Sequence, residues 1–234
     1  LCGSVLLMRA QHYTFQAVYD SLDTRHDMSR PLVERYFITS NHHWACFNRG
    51  LSAEARITAK EELELAEQLG VDSLISTAMN HVGDSFNGSA EAALQLKYFY
   101  QGLDYAQRSG SPHVVGVAQK QIATVYKSLG DLPRALGLLK QAITNVRGPG
   151  QISRTSCHLS DCYRLMGQPD SALYWAQRSN IIARPEEDNY AYARSYYMLG
   201  AAYAAKGERQ LAEVHFARAI EVADSFHVMI PLYG

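Results

Sequence analysis

Apolar and small residues fall at helical spacing along most of this chain, and the blocks they form repeat. Three segments align on one tyrosine. Ile122-Ala123-Thr124-Val125-Tyr126 is followed by Gly130, Ala135, Leu139 and Ala142; Leu159-Ser160-Asp161-Cys162-Tyr163 by Gly167, Ala172, Ala176 and Ser179; Leu199-Gly200-Ala201-Ala202-Tyr203 by Gly207, Ala212, Phe216 and Ala219. In each, the glycine comes four residues after the tyrosine, and the other slots nine, thirteen and sixteen after it. Such a block predicts a pair of helices: the glycine takes the left-handed cap that ends the first helix, and the next residue caps the second, as in Ser128-Leu129-Gly130-Asp131. Proline at a first helical turn is read in Ser111-Pro112 and Gln168-Pro169. Ala135, Ala172 and Ala212 are small where two helices must approach closely, and the three tyrosines are predicted to be knobs in the opposing groove.

An earlier copy is legible at 76–110, with Met79, Val82, Gly83 and Phe86 and then, after a one-residue insertion, Leu96, Tyr100 and Leu103. Spacings between tyrosine slots are 40, 37 and 40 residues (86, 126, 163, 203), a period that an ordinary helical bundle does not need. Upstream the pattern decays but helical spacing continues, predicting helices over Arg30–Asn48 and Ser52–Leu69 and a truncated pair at Ser4–Ala10 and Tyr13–Leu22. The whole of 1–234 therefore reads as one all-α array. Degenerate pairs occupy 1–70, clearer repeats lie at 76–110, 116–149, 153–186 and 193–226, and 227–234 is the start of a further helix or a tail. Eleven or twelve antiparallel helices and no sheet are expected. A chain opening on Leu1 rather than methionine and closing on Pro231-Leu232-Tyr233-Gly234 reads as a fragment of a longer protein.

Composition narrows the partners. With 22 Lys and Arg against 23 Asp and Glu the net charge is -1, so no nucleic-acid partner is expected of this chain. No apolar stretch is long enough to span a membrane. Cys2, Cys46, Cys157 and Cys162 fit no zinc-ligand spacing, and scattered thiols among apolar neighbours favour a cytoplasmic over a periplasmic or extracellular setting.

The pattern resembles the tetratricopeptide repeat, W-x2-L-G-x2-Y followed by A-x3-F and a closing proline. The repeat at 193–226 matches best: Tyr196 takes the tryptophan slot, and Leu199, Gly200, Tyr203, Ala212 and Phe216 fill theirs. The resemblance implies a right-handed α-solenoid that binds proteins or peptides, and its longer period is similar to arrays in bacterial signalling proteins. It also implies that the first helix of each pair lines a concave groove. The inward faces then read Thr77, Asn80, Asp84, Asn87; Val117, Lys120, Thr124, Lys127; Arg154, Cys157, Asp161, Arg164; and Arg194, Tyr197, Ala201, Ala204. The candidate peptide-binding residues are Asn80, Asp84, Lys120, Thr124, Lys127, Arg154, Asp161, Arg164, Arg194 and Tyr197. Their basic excess suits a protein or peptide with an acidic segment. The alternative is a set of solvated faces in which Asp161 pairs with an arginine across the groove. The lysine–asparagine clamp by which one subset of the family grips a terminal carboxylate is not matched, since Thr124 and His158 stand where asparagines are expected.

No cofactor or metal is implied: there is no phosphate-binding glycine loop and no His-Glu-x-x-His, and His42-His43 read as surface or capping residues. Gly83-Asp84-Ser85-Phe86 resembles an esterase nucleophile block, but Ser85 is predicted to lie inside a helix without a catalytic partner, so no enzyme is expected. The alternatives to a binding scaffold are the substrate-recruiting arm of an enzyme whose catalytic domain lies elsewhere and a purely architectural spacer.

Overall fold

The computed structural model describes residues 27–86, 91–226 and 228. Among them are ten α-helices and no strand: α1 (Leu32–Asn48), α2 (Ser52–Leu69), α3 (Asp72–Asp84), α4 (Ala92–Arg108), α5 (Pro112–Ser128), α6 (Leu132–Asn145), α7 (Pro149–Leu165), α8 (Pro169–Ile182), α9 (Asn189–Ala205) and α10 (Arg209–Phe226). The pair predicted at Ser4–Ala10 and Tyr13–Leu22, and Asn87 of the groove face, lie outside the described residues.

The helices associate as consecutive pairs, α1 with α2 through α9 with α10, and each pair also packs on the next. The first helices α3, α5, α7 and α9 touch in succession, which makes the molecule an all-α solenoid. Local chemistry follows the repeat. At the end of α5, Gly130 adopts φ 82°, and the Asp131 amide donates to the Tyr126 carbonyl at 2.9 Å. The same closure recurs from Gln168 to Tyr163 and from Glu208 to Tyr203. Asp131 then caps α6, its carboxylate accepting from the Arg134 amide at 3.2 Å.

In two of the pairs an aromatic ring on the second helix sits on a glycine of the first. A Cβ placed on Gly200 would come within 2.6 Å of the Phe216 ring, and one on Gly83 within 2.3 Å of the Phe99 ring. The Gly83–Phe99 contact corrects the frame of the first copy. Phe99, fully buried, fills the aromatic slot with no insertion, while Tyr100 is 43% exposed. Gly102 then occupies the slot held by Ala142, Ser179 and Ala219, all buried. The repeat tyrosines are only half-buried. Tyr126 bonds the Tyr100 hydroxyl at 2.9 Å, and Tyr203 stacks on His215 with centroids 5.3 Å apart.

Ser85 also differs from expectation. It follows the end of α3 rather than lying within it, and its buried hydroxyl donates to the Val82 carbonyl at 2.7 Å. Cys46, Cys157 and Cys162 are buried, as their apolar neighbours suggested. No described helix is long and apolar enough to cross a membrane.

Candidate functional site

Across α3, α5, α7 and α9, polar side chains link each first helix to the next. Gln121 of α5 donates from Nε2 to Asp84 of α3. Lys120 donates from Nζ to Gln151 Oε1 of α7 at 3.0 Å. Lys127 bonds Asp161 of α7, which Arg164 also contacts at 2.8 Å from one turn away. Asp188, in the link before α9, joins two elements: its carboxylate caps α9 at the Ala191 amide (2.9 Å) and receives Arg154 Nε at 2.5 Å and Nη2 at 2.9 Å. Arg194 of α9 donates from Nη1 to the Tyr190 hydroxyl at 2.8 Å.

The Arg154 guanidinium lies over two rings, 4.9 Å from the Tyr190 centroid and 5.0 Å from that of Trp44. Trp44 belongs to α1, so the stack curls enough to bring its first described helix against its seventh. Behind Trp44, His81 meets it edge-on at 5.1 Å, stacks on His43 at 4.5 Å and contacts Glu62 at 2.7 Å. His42 and His43 are therefore buried rather than at the surface. Burial opposes the charge on His81, but Glu62 outweighs it and raises its pKa, so the pair is ionic.

Burial dominates the other titrations. It pushes the Asp84 carboxyl up to about 6, against the pull of His81, Lys120 and Arg154. Burial, reinforced by Arg154, pushes the Lys120 ammonium down to about 8. His158 is held well below its ordinary value by burial and by the surrounding Arg194, Lys127, Lys120 and Arg154 charges, and is neutral. For Asp161 and Asp188 burial is outweighed by Lys127 and Arg154 respectively, which keep both carboxylates ionised.

Several of the residues expected to line the groove are placed differently. Asn80 is buried, its side-chain oxygen 3.1 Å from where a Cβ on Gly102 would lie. Cys157 is in the core. Tyr197 packs on Phe216 of α10, centroids 5.5 Å apart. Thr124, by contrast, stays on the α5 face that carries Lys120 and Lys127, half-buried and with its hydroxyl donating to the Gln121 carbonyl at 2.7 Å. Asp84, Lys120, Lys127, Arg154, Asp161, Arg164 and Arg194 do form one connected electrostatic set. Asp161 does pair, but with Arg164 of its own helix and with Lys127 of α5, not with an arginine across the groove. Sequence reasoning missed Trp44, Gln151, Asp188 and Tyr190. Asp188 carried a usable signal, an acid just before a helical run.

Residues 151–225 match the Tetratricopeptide repeat family. No curated protein matches the chain. Among solved structures, BtubC (BKLC) from P. vanneervenii aligns with a TM-score of 0.61 at 17% identity, covering 94% of this chain and 91% of that one. A Rap protein complexed with Competence and Sporulation Factor aligns with a TM-score of 0.64 at 12% identity, over 90% of this chain and 70% of that one. A putative kinesin light chain of Podosopora anserina with nearly identical TPR-like repeats gives 0.54 at 16%, over 85% and 99%. These similarities at low identity are similarities of fold. Residues 151–225 are thus of the tetratricopeptide type by sequence, and the described helix pairs before them continue the same all-α solenoid.

Proposed function

We propose that this protein is a peptide- or protein-binding scaffold whose ligand lies along the face formed by α3, α5, α7 and α9. One observation carries the reading: charged side chains line four successive first helices, and the intramolecular ion pairs do not consume them all. Five cations (Lys120, Lys127, Arg154, Arg164, Arg194) stand with three acids (Asp84, Asp161, Asp188), leaving two positive charges over. The Rap neighbour, complexed with Competence and Sporulation Factor, supports ligand binding as a use of this fold. Binding is favoured over catalysis because Ser85, the one nucleophile-like motif, spends its hydroxyl on a backbone carbonyl. The context we favour is the sensor or interaction region of a multidomain bacterial signalling protein in the cytoplasm.

Photo-crosslinking tests the face. A benzoylphenylalanine at Thr124, between Lys120 and Lys127 on α5, is expected to capture a partner in the native host. The same group at Lys140, exposed on α6, is expected to capture none. Capture from Lys140 alone would place recognition on the other side of the solenoid.

A further inference from the structure

We propose that Lys120 is a site of covalent modification by carbon dioxide: its neutral amine adds to CO2, and Arg194 and His158 hold the carbamate that forms. The chemistry does not depend on what the scaffold binds, although it removes the positive excess of the face.

The pairing pattern singles out this lysine. Asp161 serves Lys127 and Arg164, and Asp188 serves Arg154. Among the described residues, neither Lys120 nor Arg194 has a carboxylate within ion-pair distance. Lys120 is 5% exposed, and its Nζ rests on the neutral Gln151 oxygen of α7. Burying an ammonium is costly and an amide contact offsets that cost poorly, so the site favours the uncharged amine. Titratable groups reach it from every side. His81 and Asp84 act from α3, Arg154 and His158 from α7, Asp188 from the link and Arg194 from α9, with His113 two turns back on α5. Burial, reinforced by Arg154, prevails over the two acids and brings the ammonium down to about 8. At pH 7 roughly a tenth of such an amine is neutral, on the order of two-hundredfold more than for an exposed lysine at ~10.4. A neutral amine is the nucleophilic form.

Two neighbours are placed to hold the product. Gln151, Arg154 and His158 follow at steps of three and four residues, so they share the face of α7 that Lys120 meets. The His158 Nδ1 is buried and bonds nothing in the protein. Burial and the surrounding cations, Lys120 and Arg194 among them, hold the ring neutral, and a neutral ring with its hydrogen on Nδ1 donates to a carbamate oxygen. Arg194 commits one terminal nitrogen to Tyr190, and the rest of its planar fork suits the two oxygens of a carbamate.

In the step itself, the lone pair of the amine forms an N–C bond to CO2 while one C=O pair moves onto oxygen. The nitrogen then sheds one proton to water and keeps one hydrogen for Gln151. Counted from the ammonium, the side chain passes from +1 to −1, which cancels the two positive charges left over on the face. The same features select CO2 among acylating molecules. It is linear and uncharged, so it reaches an amine that is 5% exposed without being desolvated as an ion. An acetyl group would remove the charge of Lys120 but leave Arg194 without a partner.

The test uses protein carrying nitrogen-15 in its lysine side chains, equilibrated with carbon-13 CO2 and bicarbonate at pH 7 and constant ionic strength. A saturable carbon-13 signal, split by one-bond coupling to nitrogen, is expected in wild type and absent from Lys120→Met. Lys120→Met should melt no lower than wild type, because it removes a buried charge, so the loss cannot be laid to unfolding. In Arg194→Met the signal should need about tenfold more CO2, and Arg194→Lys should retain part of the wild-type response. At fixed CO2 pressure the signal should grow as pH rises through 8, where the amine gives up its proton. Alkylation of the carbamate with triethyloxonium, followed by peptide mass mapping, should find the adduct at Lys120 and not at exposed Lys97 or Lys140. Silence, a signal that is only unsplit (as bound bicarbonate would give), a split signal that survives Lys120→Met, or equal trapping at the exposed lysines overturns the site. A wild-type response in Arg194→Met would remove Arg194 from it and overturn the site as drawn.

Discussion

Gly83→Ala and Gly137→Ala are the same chemical change in two settings, and the repeat frame requires them to have opposite signs. Both glycines lie inside helices, where alanine is favoured by about 0.5–1 kcal/mol. Around Gly137 on α6 nothing lies within 4 Å of the added methyl, so the propensity gain should appear as added stability. At Gly83 the methyl would meet three Phe99 ring carbons at 2.3, 2.6 and 3.0 Å. Restoring contact at ~3.5 Å requires the ring to retreat by roughly 1 Å. Phe99 has nowhere to go: it is fully buried and packed with Ile122 and Val125 of α5. Overpacking of this kind costs about 1–3 kcal/mol, so after the helical gain a net loss of about 1–2 kcal/mol is expected. Urea unfolding followed by circular dichroism should separate the two variants by about 2 kcal/mol. Adding Phe99→Leu to Gly83→Ala should cost less than the same change in the wild type, a coupling that marks direct contact. Equal stabilisation by both alanines would refute the seating of Phe99 on Gly83 and return the frame to Tyr100.

Two further outcomes concern the charged face. Asp188→Ala leaves the Arg154 guanidinium, 15% exposed, without its carboxylate and removes the cap of α9. A loss of about 3–4 kcal/mol is expected in the same urea assay, and a change under about 1 kcal/mol would show that the pair is solvated. Asp84 titrates near 6 in the folded protein against 3.8 for an unperturbed aspartate, because burial disfavours its charge. A raised folded pKa contributes stability at low pH that is lost as pH rises from below 4 through 6. Asp84→Asn should therefore flatten the stability profile across that window and stabilise the protein at pH 7 by on the order of 2 kcal/mol; an unchanged profile would place the titration elsewhere.

Much of the fold was written in short-range chemistry. Tyrosine, glycine and the following cap residue act within one turn, so the closure at Tyr126, Gly130 and Asp131 is readable without knowing what the helix packs on. The Phe99 frame was not, because Phe99 and Tyr100 are adjacent aromatics and only the hollow at Gly83 chooses between them. For the charged face, helical periodicity located the helices and all five of the cations that the structure brings together. It missed their partners, since whether Lys127 is free or bound depends on Asp161 across a helix boundary. Asp188 sat in a link that looked merely hydrophilic. Trp44 was invisible for a different reason: its contact with Arg154 arises from the curvature of the whole stack, which no local pattern encodes.

That contact changes how the molecule should come apart. In a straight stack of repeats, stability is a sum of nearest-neighbour interfaces, and either end can peel away while the middle persists. Trp44 on Arg154 ties α1 to α7, so the arc is strapped across its opening. Fraying at the amino-terminal end must first release the strap, and the strap closes only after α2 to α6 have taken up their curvature. Pulled from its two ends, such a molecule should resist like a closed buckle and then yield in one larger step, where an unstrapped arc would lengthen a pair at a time.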